Sequence, residues 1–346
     1  MPELRENLAT KRWVAIATER AKRSDDFKKG KELPAPRPAY DGKCPFCEGN
    51  ETPDQKEEAF SIRDPGTKPG EKGWKIRVIP NKYPVLVPPQ KGASIEVKRH
   101  KAGIYLHMEG IGKHEVVVEN QAHNKTIATM TPDEVATVIK AYQARYLALD
   151  RDLAYKQVLI FRNQGAGAGA SQLHPHSQII ATAIIPQHMR YALIEAQRYF
   201  EELGKCVFCD MIKYELAEKE RLVMQNDKFV AFVPYAALLP YETWILPLKH
   251  STSFANLPPE DIGSLAQILR DILAKLYYGL NNPDYNYCIK SVPHYSACEP
   301  YYHWHIQILP RLTTPAGFEI GSGMAVNVAL PEESAKFLRE FKVEAL

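Results

Sequence analysis

The chain has 346 residues and a mass of 39.2 kDa, with 45% hydrophobic and 25% charged residues, the mixture of a folded globular protein rather than a disordered one. Lys and Arg number 44 against 41 Asp and Glu, a formal net charge of +3. That balance gives no electrostatic argument for nucleic acid or an anionic membrane, while a small anionic substrate needs only a few local cations. The first residues scatter charges without an apolar core, and no run of about 18 apolar residues occurs. The expectation is a cytoplasmic protein without leader or membrane span.

In chain order, the first marked feature is Cys44-Pro-Phe-Cys47, a spacing that in a reducing compartment suits a metal clamp or a redox pair. Residues 82–88 follow as a short β-rich run closed by proline. His123 ends an apolar segment. Nine residues later, Pro132 with Asp133 and Glu134 reads as a helix start, and Thr131 with Glu134 fits a capping box. Val135, Val138, Ile139, Tyr142 and Tyr146 recur at helical spacing. A β-rich run over 157–162 leads to the glycine-rich stretch 163–171 and then to His174-Pro-His176-Ser-Gln178. Residues 187–202 read as a further helix, and 30–42 and 64–73 as surface loops.

The pattern then repeats. Cys206-Val-Phe-Cys209, a β-rich run over 228–234, His250, and Pro259 with Glu260 and Asp261 come in the same order. Ile262, Leu265, Leu269, Ile272 and Leu276 follow at helical spacing, then a β-rich run over 285–292 and His303-Trp-His305-Ile-Gln307. We therefore expect an α+β chain of two tandem domains from a duplication, 1–203 and 204–346, each an antiparallel sheet with packed helices.

Two thiolates and two imidazoles make a tetrahedral zinc set. Cys44, Cys47, His123 and His174 supply one, and Cys206, Cys209, His250 and His303 supply the second. Four protein ligands leave no open position, so both sites read as structural.

In a strand, alternate residues share a face, so His174, His176 and Gln178 line one surface. An imidazole on a pinned backbone can act as base or nucleophile. Gly165, Gly167 and Gly169 let backbone N–H groups approach an anion, Ser171 adds a hydroxyl, and Gln178 can donate to a phosphoryl oxygen. The second half lacks these glycines; Ser291, His294 and Cys298 stand in their place, and His305 reads as structural or substrate-facing. Arg20 and Arg23 are candidates for phosphate or ribose contacts.

The His-x-His-x-Gln strand resembles the histidine-triad superfamily, and the tandem layout is similar to the galactose-1-phosphate uridylyltransferase family over nearly the whole chain. Leu4-Arg5, Arg12-Trp13-Val14, the stretch from Glu19 through Ala21 and Lys22 to Arg23, Cys44-Pro-Phe-Cys47, Asn163 through Gln178, and Gly317-Phe318-Glu319 carry the likeness. The resemblance implies a ping-pong reaction on a nucleoside diphosphate sugar. His176 takes the nucleotidyl group, sugar 1-phosphate leaves, and a second sugar 1-phosphate attacks the intermediate. It further implies that Gln178 stabilises the phosphoryl group, that Ser171 contacts the sugar-side phosphate, and that Asn81, Asn163, Gly169, Phe318 and Glu319 contact substrate. It also implies a homodimer, and at the second metal site either zinc or, as in some members, iron. Asn81-Lys82-Tyr83 departs from the family's Asn-Asp-aromatic segment, removing an acceptor that reads a base. Uridylyl transfer to galactose 1-phosphate is the leading expectation. Adenylyl transfer, as in the related ADP-glucose phosphorylases, is the first alternative, and a zinc-stabilised nucleotide-binding protein without turnover is the second.

Overall fold

A computed structural model describes residues 1–20, 23–28, 33, 35–52, 55, 57–89, 98–293 and 299–343, and of Arg20 only the backbone. Ala21, Lys22, His294 and Cys298 lie outside the described residues. The chain opens with β1 (Glu3–Glu6), β2 (Trp13–Ile16) and α1 (Ser24–Lys28). Five strands of the first half follow: β3 (Phe60–Arg63), β4 (Trp74–Pro80), then, after the exposed hairpin β5 (His100–Ala102) and β6 (Tyr105–His107), β7 (Gly112–Val118), β8 (Gln157–Gln164) and β9 (His176–Thr182). Helix α2 (Pro132–Asp150) stands between β7 and β8, and α3 (Gln187–Leu203) follows β9 and ends on the left-handed Gly204. The second half contributes α4 (Val207–Glu218), β10 (Leu222–Gln225), β11 (Phe229–Phe232), β12 (Thr243–Pro247), α5 (Ile262–Gly279), β13 (Tyr285–Lys290) and β14 (His305–Pro310). It closes with α6 (Gly317–Ser322), β15 (Ala325–Asn327) and α7 (Pro331–Glu340).

Among the described residues the two halves share one ten-stranded antiparallel sheet, ordered β10-β11-β12-β14-β13-β8-β9-β7-β4-β3. The join is β8 against β13, with Asn163 opposite Asn286 and Phe161 opposite Cys288. Pairing these two strands removes one open edge from each half. Reading outward from the join, β9 matches β14, β7 matches β12 and β4 matches β11, so the repeat in the sequence becomes a pseudo-twofold in space. The ends also cross over, since β15 pairs in parallel with β2.

Helix α2 starts as its sequence dictates. The Thr131 hydroxyl accepts from Glu134 N–H at 3.3 Å, and the Glu134 carboxylate accepts from Thr131 N–H at 2.8 Å. All ten apolar positions expected to face inward on α2 and α5 are buried, and the two helices pack together on the face bearing Ile160, Ile179, Tyr287, Ile289 and Ile306. Burying each such aliphatic side chain stabilises the fold by roughly 1.5–3 kcal/mol. The opposite face is covered by α3 and α4 over the second half, through Ala196, Val207 and Phe208. Over the first half, the Cys44–Cys47 segment packs on Trp74, Ile79, Val116 and Val118.

One strand expectation is displaced. Residues 82–88 form no strand beyond an isolated bridge of Val87 to Ile111, because Pro84 and Pro88 have no N–H for a ladder. The counterpart of β11 is β4. The second Cys-x-x-Cys also opens a helix, α4, that the sequence reading left out.

Directly beneath β9, on the helical side, lies a buried polar network. Arg162, 1% exposed, pairs with Glu119, also 1% exposed. Tyr142 Oη donates to Glu119 at 2.9 Å and approaches Ser177 Oγ at 2.7 Å and Tyr287 Oη at 2.6 Å. Removing one partner of such a pair strands a buried charge. Glu119→Ala is therefore expected to destabilise the chain by about 3–5 kcal/mol. Glu119→Leu combined with Arg162→Met is expected to cost far less, as read from the denaturant midpoints of the three proteins.

Candidate active site

The two expected metal sets assemble. In each of the groups Cys44, Cys47, His123, His174 and Cys206, Cys209, His250, His303, the four ligand atoms lie within 4.8 Å of one another. Cys47 Sγ stands 3.6 Å from His123 Nδ1 and 3.5 Å from His174 Nδ1. Cys209 Sγ stands 3.3 Å from His250 Nδ1 and 3.6 Å from His303 Nδ1. The first cluster is buried throughout, whereas His250 at the second is exposed.

Local turns build the first cluster. Cys47 N–H bonds the Cys44 carbonyl at 3.2 Å, and the Asn50 amide braces both the Asp41 and Cys44 carbonyls at 2.9 Å. His123 N–H bonds the Ala39 carbonyl. His174 Nε2–H donates to the Asn120 carbonyl at 2.7 Å, which fixes the tautomer and turns the Nδ1 lone pair to the cluster. Burial pushes the His174 pKa down to about 4 and the Cys47 thiol up to about 11. The described cysteines 44, 47, 206, 209 and 288 form no disulfide.

His176 begins β9 just past that clamp. Its Nδ1–H donates to the His174 carbonyl at 2.9 Å, so Nε2 carries the lone pair. The ring is 7% exposed and packs 5.5 Å from Phe46, and burial lowers its pKa below the ordinary imidazole value. Gln178, two residues on and on the same face, is met by His114 of β7 and by Asn81, the residue after β4. Its Oε1 lies 2.7 Å from His114 Nε2 and 3.5 Å from Asn81 Nδ2. Asn81, which the resemblance gives as a substrate contact, is thus brought beside Gln178.

The glycine stretch is arranged differently from a phosphate cradle. Gly167 N–H donates to Asp284 Oδ2 at 2.6 Å, and the N–H groups of Ala168, Gly169 and Ala170 close back on the loop's own carbonyls. The anion these glycines hold is therefore a carboxylate from the second half of the chain. Gly165 (φ +84°) leaves no room, since an added Cβ would stand 1.8 Å from Asp284 Oδ1. Asn163 faces Asn286, whose amide donates to Asn163 Oδ1 and to the Ala168 carbonyl, both at 2.8 Å. Ser171 is exposed between this loop and His174.

The remaining candidates lie elsewhere. Arg23 is exposed ahead of α1, and the Arg20 side chain is outside the described residues. Phe318 and Glu319 sit on α6, where Glu319 accepts from the Ala316 N–H at 3.0 Å and lines a groove with Arg12, Arg311 and Thr313. Among the described residues, the lining of that groove does not include His176.

The sequence reading missed His114, Glu119, Arg162, Asp284 and Asn286. Only the strand register puts the first three under or beside β9 and the last two against the glycine stretch, and no motif marks them. The repeat holds a faint signal for His114, because Glu242 occupies its place in the second half: Val116 stands opposite Gln178 as Trp244 stands opposite Gln307. There the resemblance between halves ends. His305 also bonds its neighbour's carbonyl, Nδ1 to His303 O at 3.1 Å, but Trp244 stacks on its ring at 4.7 Å and burial drives its pKa to about 3.

Compared with known proteins, residues 1–186 match the galactose-1-phosphate uridyl transferase N-terminal domain and residues 193–341 the C-terminal domain. An ADP-glucose phosphorylase of Arabidopsis thaliana is 36% identical over 98% of this chain and 93% of its own length. A galactose-1-phosphate uridylyltransferase of Thermotoga maritima is 27% identical over 99% and 100%. A crystal structure of an ADP-glucose phosphorylase from Arabidopsis thaliana with bound ADP-glucose covers 99% of this chain and 100% of that one, with a TM-score of 0.81 at 34% identity.

Gly165→Ala is expected to cost about 1–3 kcal/mol from the backbone conformation alone, with the clash against Asp284 added. Asp284→Ala in the same chain relieves the clash, so the two thermal shifts should fall short of additive.

Proposed function

The chain belongs to the galactose-1-phosphate uridylyltransferase family and is an enzyme of the nucleotidyltransferase class, and from that premise we propose that it transfers a nucleotidyl group from a nucleoside diphosphate sugar through a covalent intermediate on His176. The observation that carries this reading is the His176 tautomer: with Nδ1–H given to the His174 carbonyl, Nε2 is left with its lone pair, and Gln178 follows two residues on along the same strand face.

Nε2 attacks the α-phosphorus, the bond from that phosphorus to the bridging oxygen breaks, and sugar 1-phosphate departs with the electron pair. An acceptor phosphate oxygen then attacks the same phosphorus and returns the electron pair to Nε2. The Nδ1–H bond to a fixed carbonyl eases the positive charge that the ring takes on while it carries the nucleotidyl group. Gln178 donates to a non-bridging phosphoryl oxygen, and Ser171 is assigned to the sugar-side phosphate.

On this reading both Cys2His2 clusters hold zinc. With bonds of 2.3 Å to sulfur and about 2.0–2.1 Å to nitrogen, a tetrahedral zinc sets S···N edges of about 3.5 Å, which the observed 3.3–3.6 Å match. The zinc ties loops together and supplies no open coordination position. Metal analysis of protein purified without chelator should give two zinc per chain, falling to one in Cys47→Ala and one in Cys209→Ala. Iron at the second position, or a content unchanged in Cys209→Ala, contradicts that assignment.

The adenylyl donor ADP-glucose, with phosphate as acceptor, is the first reading of the substrates, since a phosphorylase of that name is 36% identical where the uridylyltransferase is 27%. Lys82 in place of a base-reading acid supports it. Uridylyl transfer to galactose 1-phosphate, the leading expectation of the sequence, is the second reading, supported by the family match over both halves. Intact-mass spectrometry after brief incubation separates them. An AMP-sized adduct from ADP-glucose, cleared by phosphate, supports the first. A UMP-sized adduct from UDP-glucose, cleared by galactose 1-phosphate, supports the second. His176→Ala should show no adduct and lose at least about a thousandfold in turnover.

A further inference from the structure

A primary amide offers a donor on one side and lone pairs on the other, in nearly the same shape. Only its neighbours decide which side faces a ligand. The two halves of this chain settle that choice in opposite senses.

In the first half, His114 Nδ1 accepts the Val85 N–H at 3.3 Å. Its proton therefore sits on Nε2, which stands 2.7 Å from Gln178 Oε1 and 3.0 Å from the Asn81 amide nitrogen; of these two atoms only the oxygen can accept it. Asn81 Nδ2 approaches the same oxygen at 3.5 Å. With Oε1 occupied, the NH2 group of Gln178 is the side left to meet a ligand. In the second half, Glu242 takes the place of His114. Its Oε1 accepts from Gln307 Nε2 at 2.7 Å and from Trp244 Nε1 at 2.7 Å, and its Oε2 accepts from the Leu238 N–H. Here the amide NH2 is turned onto a buried carboxylate, and Oε1 is the side left to meet a ligand.

We infer that His114 is a positioning residue for nucleotidyl transfer, holding Gln178 with its NH2 toward the phosphoryl oxygens, and that Glu242 at the matching position turns Gln307 the wrong way round. A phosphoryl oxygen only accepts, so an amide presented oxygen-first repels it where the present arrangement attracts it. The second half keeps the His-x-His-x-Gln pattern and lacks the donor. The inference rests on the reading of His176 as nucleophile, and it goes beyond that reading by naming the group that sets the polarity of its partner.

Three variants of similar bulk test it: His114→Gln, His114→Met and His114→Glu. Gln keeps a neutral donor to Oε1, Met keeps neither donor nor charge, and Glu reproduces the acceptor of the second half. Each is first shown to keep the wild-type metal content and thermal midpoint. The rate of adduct formation from the nucleoside diphosphate sugar is then measured in single turnovers. His114→Gln should stay within about tenfold of wild type, His114→Met should lose about 10²-fold, and His114→Glu should lose about 10³-fold or more. A residue that merely packs would give Gln and Met equal rates, and that result overturns the inference, as does a His114→Glu protein as fast as His114→Gln. If the wild-type protein itself forms no adduct, the nucleophile assignment fails first and this inference falls with it.

Discussion

The backbone from His174 to Gln178 is held from several directions at once, and the chemistry of the site depends on that hold. The His174 ring is tied through Nε2 to the Asn120 carbonyl and through Nδ1 to the cysteine cluster. The Pro175 carbonyl accepts from the Glu119 N–H at 3.0 Å, and the His176 carbonyl accepts from buried Arg162 at 3.2 Å. What remains free on His176 is one lone pair. A flexible histidine would divide itself between tautomers and rotamers, and the bond to the His174 carbonyl removes that choice.

The same constraint explains why the duplication yields unequal halves. Both halves keep the clamp and the self-directed histidine bond, and these belong to the structural repeat. They differ in what lies opposite the glutamine. Val116 stands where Trp244 lies flat on His305, and His114 presents a proton where Glu242 presents a carboxylate. On the proposed reading, the difference between the halves in handling a phosphoryl group follows from two strand positions, with the metal set and the triad pattern left in place. The glycine-rich loop adds a further asymmetry, because it grips Asp284 and so welds the first half's site to the second half across the β8–β13 join.

Much of this was legible in the sequence. Cys-x-x-Cys, a distant His and a His-x-His-x-Gln strand, repeated in order, gave the two clusters, the shared face of His176 and Gln178, and the helices that cover the sheet. These features are local or periodic, and locality is what a pattern can report. The network under β9 was not legible. Glu119, Arg162, Tyr142 and Tyr287 are neighbours only once β8 lies between β9 and β13, and each alone reads as an ordinary strand or helix residue. The glycines misled for a related reason. Their backbone freedom is plain from composition, whereas the anion they receive, Asp284, lies more than a hundred residues away in the chain. Residues 82–88 misled because their β-forming side chains hide a backbone that two prolines keep out of a ladder.

No helix among the described residues is long and apolar enough to cross a membrane, and the site lies on a sheet shared by both halves. The account stands on one covalent claim, that the nucleotidyl group resides on Nε2 of His176. Site mapping of the trapped intermediate tests it most directly: digestion at alkaline pH, where a phosphorus–nitrogen bond to histidine survives, followed by fragment sequencing in the mass spectrometer. The account predicts the nucleotidyl mass on the peptide that spans His174 to Gln178, resolved to His176 and lost on brief acid treatment. A modification on His305, on a carboxylate or on Ser171 would contradict it.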